Sequence, residues 1–149
     1  MTYALDTNVF LYAHFPDYDS HTAVRQYLSE LIASGQNIYL SWQVVYEYLR
    51  ITTHPRVFAK PLTFKKALQS IKPYWELPQC SVLSESSIHG SLLEKMPKEI
   101  PSAKGNFLHD LRYATLLQEH GIKNIVTCDL DFKKFDFLKV INPVTKHFG

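Results

Sequence analysis

The sequence has few of the features that mark membrane, secreted or thiolate-metal proteins. No apolar run among its 149 residues approaches the length that crosses a bilayer, so we expect no transmembrane segment and no membrane partner. The N-terminus lacks the basic stretch and apolar core of a secretion signal, so we expect a cytoplasmic protein. The two cysteines, Cys80 and Cys128, lack the spacing of a metal motif, which favours reduced thiols.

Acidic residues are absent from one continuous stretch of the chain. Residues 48–75 contain six arginines and lysines and no aspartate or glutamate, whereas residues 1–47 contain five acids and one arginine. A basic stretch of this kind can follow a polyanion such as a nucleic acid. A solvated surface has the same composition, and the sequence leaves the two interpretations open.

The composition is that of an ordinary globular domain, with 46% hydrophobic and 20% charged residues. We expect residues 1–149 to form a single domain, because no repeat, low-complexity tract or linker divides them. Short apolar runs alternate with stretches of helical periodicity, and the expected strands lie at 3–6, 37–40, 80–83, 125–128 and 139–141. This alternation predicts an α/β fold: a three-layer α/β/α sandwich with a central, mainly parallel sheet of four to five strands.

Capping residues and prolines predict where some helices begin and end. A helix capped by Thr7 or Asn8 is expected directly after the first strand. The segment Pro61-Leu62-Thr63 is expected to open a helix that ends before Pro73, because an interior proline removes a backbone donor. Residues 97–105, which are rich in proline, lysine and glycine, are expected to form a loop.

Four acids stand where an ordinary fold would not place them. Asp6 and Asp129 each end an apolar strand, at the edge of a parallel sheet where α/β folds bind ligands. Glu47 and Asp110 lie at the margins of apolar helix faces, where an unpaired carboxylate is costly. Capping or surface exposure explains each acid taken alone, but together the four can converge at one end of the sheet.

Convergence of these acids predicts a bound cation. Close carboxylates repel one another and raise one another's pKa values, and a divalent cation removes that conflict. Ligation by oxygen alone, without a histidine or cysteine cluster, favours Mg²⁺ or Mn²⁺ over Zn²⁺. Such an ion lowers the pKa of an attacking water, as hydrolysis of a phosphodiester requires.

An ordered set of segments resembles a known family: LDTNV at 5–9, WQVVYEYLR at 42–50, GNFLHD at 105–110 and TCDLDF at 127–132. The set is similar to the PIN domain, and among PIN domains to the VapC-type ribonuclease toxins of type II toxin–antitoxin systems. The resemblance also covers RITTHPRVF at 50–58 and the closing Asn142-Pro143, so it runs nearly end to end. No single segment is specific, whereas the ordered set at this spacing is.

The resemblance implies a role for each acid. The implied catalytic quartet around Mg²⁺ or Mn²⁺ is Asp6, Glu47, Asp110 and Asp129. Metal ligation is implied for Asp6, Asp110, Asp129 and, as an acid found in many members but not all, Asp131. Polar positions that support the metal site or contact a phosphate are implied at Thr7, Asn8 and Thr127.

The implied reaction is endonucleolytic cleavage of single-stranded RNA by a metal-activated water. The resemblance also implies a cognate antitoxin, whose C-terminal segment wraps an apolar groove of the toxin, and a homodimer of the toxin itself. Within the basic stretch, the side chains best suited to RNA phosphates are Arg50, Arg56 and Lys60. His109 and Arg112 are expected to face away from their helix neighbour Asp110.

Three other functions are weighed against this one. A PIN-like module that binds RNA without cleaving it would not need intact acids. A receiver-type phospho-acceptor domain needs adjacent acids after the first strand and an aspartate after a middle strand, where this chain has Thr7-Asn8 and Leu83-Ser84. A phosphatase of the haloacid-dehalogenase type needs Asp-x-Asp at the first strand, which Asp6 does not begin.

Overall fold

A computed structural model describes residues 1–100 and 104–148, without the side chains of residues 97–99. Its strands form one parallel sheet in the order β3-β2-β1-β4-β5. The strands are β1 Thr2–Leu5, β2 Asn37–Ser41, β3 Cys80–Leu83, β4 Asn124–Val126 and β5 Lys139–Ile141. The predicted α/β fold with a parallel central sheet is confirmed.

Six α-helices within the described residues connect and cover these strands. They are α1 Thr7–His14, α2 His21–Ala33, α3 Trp42–Thr52, α4 Phe64–Trp75, α5 His89–Glu99 and α6 Phe107–Glu119. A single 3₁₀ turn, Leu130–Lys134, lies between β4 and β5. None of the helices in the described part of the chain is both long and apolar enough to span a bilayer.

The direction of the crossovers sorts these helices into two layers. The chain steps from β1 to β2 to β3 one way across the sheet, then returns past β1 to β4. Since parallel crossovers are right-handed, α1 to α4 lie on one face and α5 and α6 on the other. The packing agrees, because α1 contacts α2 and α3, α3 contacts α4, and α5 contacts α6.

Strand β1 is the central strand of the sheet. Its neighbours are β2 and β4, and both Ala4 and Leu5 are fully buried, as expected for a parallel strand covered on both faces. The chain leaves β1 toward one side of the sheet and returns to β4 on the other. The carboxyl ends of β1 and β4 therefore form the topological switch point, where open α/β sheets bind ligands.

A buried tyrosine ties α6 to this switch point. The Tyr113 hydroxyl donates a hydrogen bond of 2.7 Å to the backbone carbonyl of Leu5, the last residue of β1. The Tyr113 ring also meets the ring of Phe132 in the 3₁₀ turn edge-on, with centroids 6.3 Å apart. One side chain thus fixes α6 and the turn after β4 against the end of the central strand.

Two predicted helix boundaries are wrong for reasons of packing and capping. Asp6, rather than Thr7 or Asn8, is the N-cap of α1, because its carboxylate accepts the Thr7 backbone N–H at 2.8 Å. Helix α4 continues through Pro73 to Trp75. The ring of Tyr74, beyond that proline, packs edge-on against Phe10 with centroids 4.8 Å apart, and this contact offsets the missing donor.

The predicted loop at 97–105 is also partly wrong. Helix α5 runs to Glu99, and its C-cap Ile100 is buried and donates its backbone N–H to the carbonyl of Met96 at 3.2 Å. Residues 101–103 lie outside the described residues. Gly105, with a φ of 61°, follows them and precedes the start of α6.

Replacing Tyr113 by phenylalanine should lower the free energy of unfolding by about 1 kcal/mol, because the change removes one buried hydrogen bond and keeps the ring. Urea unfolding measures this difference. As a control, Tyr46→Phe removes a hydroxyl from a side chain that is 71% exposed and should leave stability unchanged. Equal stability of the Tyr113→Phe and wild-type proteins would contradict the proposed tie.

Candidate metal centre

The predicted acids meet at the carboxyl ends of β1 and β4. Asp6 follows β1 directly, and its backbone N–H donates to the carbonyl of Val126, the last residue of β4, at 3.1 Å. Asp129 follows β4 by three residues and caps the 3₁₀ turn. Asp110 lies in the first turn of α6, which Tyr113 holds against β1. The sheet and α6 therefore bring together acids that are distant in sequence.

Among the described residues, three acids come close enough to share one ion. Asp110, Asp129 and Asp131 each offer a carboxylate oxygen, and these oxygens all lie within 4.8 Å of one another. The Asp129 carboxylate accepts the backbone N–H of Asp131 at 2.9 Å, which folds Asp131 back toward it. Asp131 is the most exposed of the three and also lies 3.7 Å from the Lys134 ammonium.

Asp6 stands beside this trio, in a separate buried cage of donors. One carboxylate oxygen accepts the Thr7 backbone N–H at 2.8 Å. The other accepts the Thr127 hydroxyl at 2.7 Å and the Asn8 amide at 3.2 Å. Burial nevertheless raises the pKa of Asp6 to about 6, because loss of hydration outweighs these donors and the charges of Glu47 and Asp129 add to it.

Thr127 joins the Asp6 cage to the trio. Its hydroxyl donates to Asp6 and accepts the backbone N–H of Asp129 at 2.9 Å and the Asn8 amide at 3.1 Å. The carbonyl oxygen of the Asn8 side chain accepts the backbone N–H of Cys128 at 3.1 Å. The predicted polar residues Thr7, Asn8 and Thr127 thus all lie in one network that orients Asp6 and Asp129.

Glu47 reaches the site from helix α3, on the opposite side of the site from α6. Its carboxylate accepts the Thr7 hydroxyl at 3.1 Å, so it is linked to the Asp6 cage rather than to the trio. The charge of Glu47 is close enough to raise the pKa of Asp6. The structure therefore divides the predicted acids into a trio around Asp110 and a pair formed by Asp6 and Glu47.

Repulsion is strongest at Asp110. Partial burial, followed by the charges of Asp129, Asp6 and Asp131, raises the pKa of Asp110 to about 7. The donor set is carboxylate oxygen alone, which fits a hard divalent cation such as Mg²⁺ or Mn²⁺. These residues fit the predicted ion, whose charge would offset their repulsion.

The acids lie in an open cleft of about 920 Å³ between α3 and α6. On the α3 wall the lining residues are Gln43, Tyr46, Glu47 and Arg50, at the spacing of one helix face. From the other side it is lined by Asn106, Phe107, His109, Asp110, Arg112, Asp129 and Asp131. Of the predicted RNA-binding residues, Arg50 lines the cleft, whereas Arg56 and Lys60 are exposed and are not among its lining residues.

The sequence did not predict six of the lining residues: Gln43, Tyr46, Asn106, Phe107, His109 and Arg112. His109 and Arg112, expected to face away from Asp110, both line the cleft, because its open wall spans several faces of the first turns of α6. The Gln43 amide donates to the His109 carbonyl at 2.7 Å and so braces α3 against α6. Its Oε1 is buried without a hydrogen-bond partner among the described residues. Only the spacing of Gln43 to Glu47, four residues, signalled a shared face.

A second cavity, of about 520 Å³, is separate from the acids and is bordered by α1, α2 and α4. On its wall, His14 contacts the hydroxyls of Tyr48, Tyr74 and Ser70 at 2.8, 2.6 and 3.0 Å. Burial lowers the pKa of His14 to about 4, so the imidazole is neutral at physiological pH. This network satisfies buried polar groups and holds none of the predicted site residues.

Comparison with known proteins gives matches along nearly the whole chain. The family model for the PIN domain matches residues 3–138. Ribonuclease VapC48 of Mycobacterium tuberculosis is 25% identical over 143 residues, covering 96% of this chain and 98% of the relative. Ribonuclease VapC25 of the same organism is 28% identical over 141 residues, covering 95% and 98%. The crystal structure of VapBC2 from Rickettsia felis, bound to a promoter DNA fragment, contains a chain that matches with a TM-score of 0.65 at 21% identity, covering 95% and 98%.

Without divalent metal, an Asp110→Asn protein should become more stable than wild type as pH rises from about 4 to about 7. Below this window Asp110 is neutral in both the folded and unfolded states. Within it the unfolded chain releases the proton at its ordinary value of 3.8, whereas the folded chain holds it to about 7. The wild type therefore loses stability that the neutral amide keeps, by roughly 1 kcal/mol after allowing for partial exposure.

Urea unfolding of the two proteins across this range measures the difference in stability. The pH-dependent contribution of His14 has the opposite sign, but it is the same in both proteins and therefore cancels. Exposed Asp19 provides the control, since Asp19→Asn should follow the wild type at every pH. Added Mg²⁺ should stabilise the wild type more than Asp110→Asn, because it binds the folded site. A difference between Asp110→Asn and wild type that stays constant with pH would show that Asp110 carries no raised pKa.

Proposed function

This chain belongs to the PIN domain family, and we propose that it is a divalent-metal-dependent endoribonuclease that acts as the toxin of a toxin–antitoxin pair. We infer a single PIN domain over residues 1–149. The observation that carries the proposal is the trio of Asp110, Asp129 and Asp131, whose carboxylate oxygens lie within 4.8 Å of one another beside buried Asp6.

We assign the metal site to Asp110, Asp129 and Asp131, with Asp6 as the predicted fourth ligand. A bound Mg²⁺ or Mn²⁺ would lower the pKa of an attacking water and offset charge on the reacting phosphate. The Thr127 hydroxyl bonds both the Asp6 carboxylate and the Asp129 backbone N–H, and so fixes their relative positions. Glu47, the remaining catalytic acid of the prediction, is oriented by the Thr7 hydroxyl.

The substrate proposed for this cleft is single-stranded RNA. Arg50 lines the cleft one helical turn from Glu47, where a guanidinium suits a phosphate beside the metal. Tyr46, 71% exposed on the same helix face, offers a ring on which an unpaired base can stack. Contact of Arg56 and Lys60 with RNA stays a prediction, for a strand that extends beyond the cleft.

The toxin role rests on likeness to proteins of that class. The Mycobacterium tuberculosis relatives are named ribonucleases VapC48 and VapC25, and both align with almost the whole of this chain. The fold is shared with a chain of a VapBC2 complex. We infer a cognate antitoxin as the protein partner, and a homodimer and a cytoplasmic location stay predictions.

The alternatives have less support. A PIN-like module that only binds RNA would not require the trio, the Asp6 cage and the Thr127 link to be kept together. A receiver-type domain needs an acceptor aspartate after a middle strand, whereas β3 lies at the sheet edge and is followed by Ser84. A haloacid-dehalogenase-type phosphatase needs a second acid two residues after Asp6, where Asn8 instead donates to the Asp6 carboxylate.

Purified protein, free of antitoxin, should cleave single-stranded RNA with Mg²⁺ or Mn²⁺ and stop when EDTA removes the ion. Asp110→Asn should reduce the cleavage rate by at least roughly 100-fold, because even residues that only support metal ligands are worth about 10- to 100-fold. Asp6→Asn should have a comparable effect. Gel analysis of a labelled RNA measures the rate, and circular dichroism checks that each variant folds.

Asp19→Asn is the matched control and should cleave at the wild-type rate, because Asp19 is exposed on the segment between α1 and α2. Normal cleavage by the Asp110→Asn protein would show that the assigned acids are wrong. Cleavage that survives EDTA would show that the reaction does not depend on a metal.

Expression of the wild-type chain alone should arrest bacterial growth, and expression of Asp110→Asn should not, because the arrest requires cleavage. Co-expression of the small protein encoded beside the gene should restore growth if that protein is the antitoxin. Growth curves and co-purification measure the two effects. Unimpeded growth with wild-type chain that is active in the RNA assay would refute the toxin role and leave the nuclease assignment intact.

A further inference from the structure

Arg112 lines the metal cleft from α6, opposite Arg50 on α3. Both residues are exposed, and each shares its helix with an acid of the cleft, Glu47 on α3 and Asp110 on α6. The other charged residues that line the cleft are four carboxylates: Glu47, Asp110, Asp129 and Asp131. The position of Arg112 calls for a ligand that is itself an anion.

The guanidinium of Arg112 is held from behind. Its Nε donates to one carboxylate oxygen of Glu85 at 3.1 Å, and its Nη2 lies 3.0 Å from the same oxygen. Glu85 is not among the residues that line the cleft. A guanidinium has five N–H donors, so this contact leaves at least three of them for another acceptor.

Stability alone is a weak reason for this ion pair. The Arg112 and Glu85 side chains are 56% and 37% exposed, and exposed pairs of this kind add little to folding. What the pair does achieve is orientation, because it restricts a long side chain that would otherwise sample many rotamers. A guanidinium fixed at the edge of a metal cleft suits a phosphate oxygen.

We propose that Arg112, oriented by Glu85, binds a phosphate of the RNA on the α6 side of the cleft. The RNA strand then crosses the acids from Arg50 to Arg112, with the scissile phosphate between these two contacts. Arg112 is a substrate-binding residue in this arrangement, and Glu85 is a positioning residue that acts through it. The inference rests on the proposed RNA substrate and extends it by a second anchoring point.

Binding without cleavage tests this directly. In the Asp110→Asn protein, adding Arg112→Gln should weaken binding of a fluorescent single-stranded RNA by about tenfold, the usual size for a lost charged hydrogen bond. The slope of log affinity against log salt should fall by about 0.7, as expected when one phosphate contact on a single strand is lost. The control is Lys123→Gln, which removes a positive charge just before β4, at the opposite edge of the sheet, and should change neither value.

Kinetics of the active chain separate this role from a structural one. Arg112→Gln should raise KM by about tenfold and leave kcat within about twofold, because the lost contact holds the ground and transition states alike. Glu85→Gln should raise KM less. Adding Glu85→Gln to Arg112→Gln should change nothing further, since Glu85 acts only through Arg112.

The Arg112 contact and the nuclease proposal on which it rests can be refuted separately. Equal RNA affinity and equal salt slope for the Arg112→Gln and Lys123→Gln proteins would overturn the Arg112 contact, even if the wild type cleaves RNA. Additive effects of Arg112→Gln and Glu85→Gln would overturn the positioning role of Glu85. A wild type that binds the RNA but does not cleave it would refute the nuclease proposal, while the affinity measurements would still decide the Arg112 contact.

Discussion

Repulsion between carboxylates at the carboxyl ends of β1 and β4 is the constraint on which the rest of the site depends. Burial and neighbouring charge raise the pKa of Asp6 to about 6 and that of Asp110 to about 7. The fold therefore holds carboxylates close together although their charged forms repel one another. The hydroxyl of Thr127 links Asp6 to the backbone of Asp129 and thereby fixes their spacing. The hydrogen bond from the Tyr113 hydroxyl to the last carbonyl of β1 fixes the position of α6. The cost of this arrangement falls on stability, and it leaves a cluster of carboxylate oxygens that fits a divalent cation.

The topology explains why this place exists at all. Strands β1 and β4 are neighbours in the sheet but are separated by most of the chain, and the crossovers on either side of them run on opposite faces. Their carboxyl ends are therefore free of a covering connection, and residues that follow them face the same opening. The fold supplies the opening, and the acids with their supporting donors supply its chemistry.

The sequence predicts the strands and the convergence of the acids well, because both follow from short periodic patterns. Asp6 and Asp129 end apolar runs, and a parallel sheet places such ends at one edge. The grouping of the acids was not predictable, since it depends on a 3₁₀ turn in which Asp129 captures the backbone of Asp131. Helix α4 passes Pro73 because aromatic packing beyond the proline outweighs a lost donor, and no local propensity contains that information. That Arg112 lines the cleft was likewise not predictable, because it depends on how much of the surface of α6 the cleft exposes.

Charge determines how one cleft would serve both the proposed cation and the proposed RNA. The acids that attract a divalent ion also repel RNA, and the two lining arginines, Arg50 and Arg112, balance only half of the four lining carboxylates. The buried carboxylate of Asp6 adds to this excess of negative charge, and a bound divalent ion would offset two of the charges. Binding of the ion and of RNA should therefore be coupled, with each increasing the affinity for the other. Under the proposed function this coupling would have a direct consequence for specificity. Phosphates beside the acids would bind well only when the ion is bound, whereas contacts with Arg50 and Arg112 would position the strand on either side.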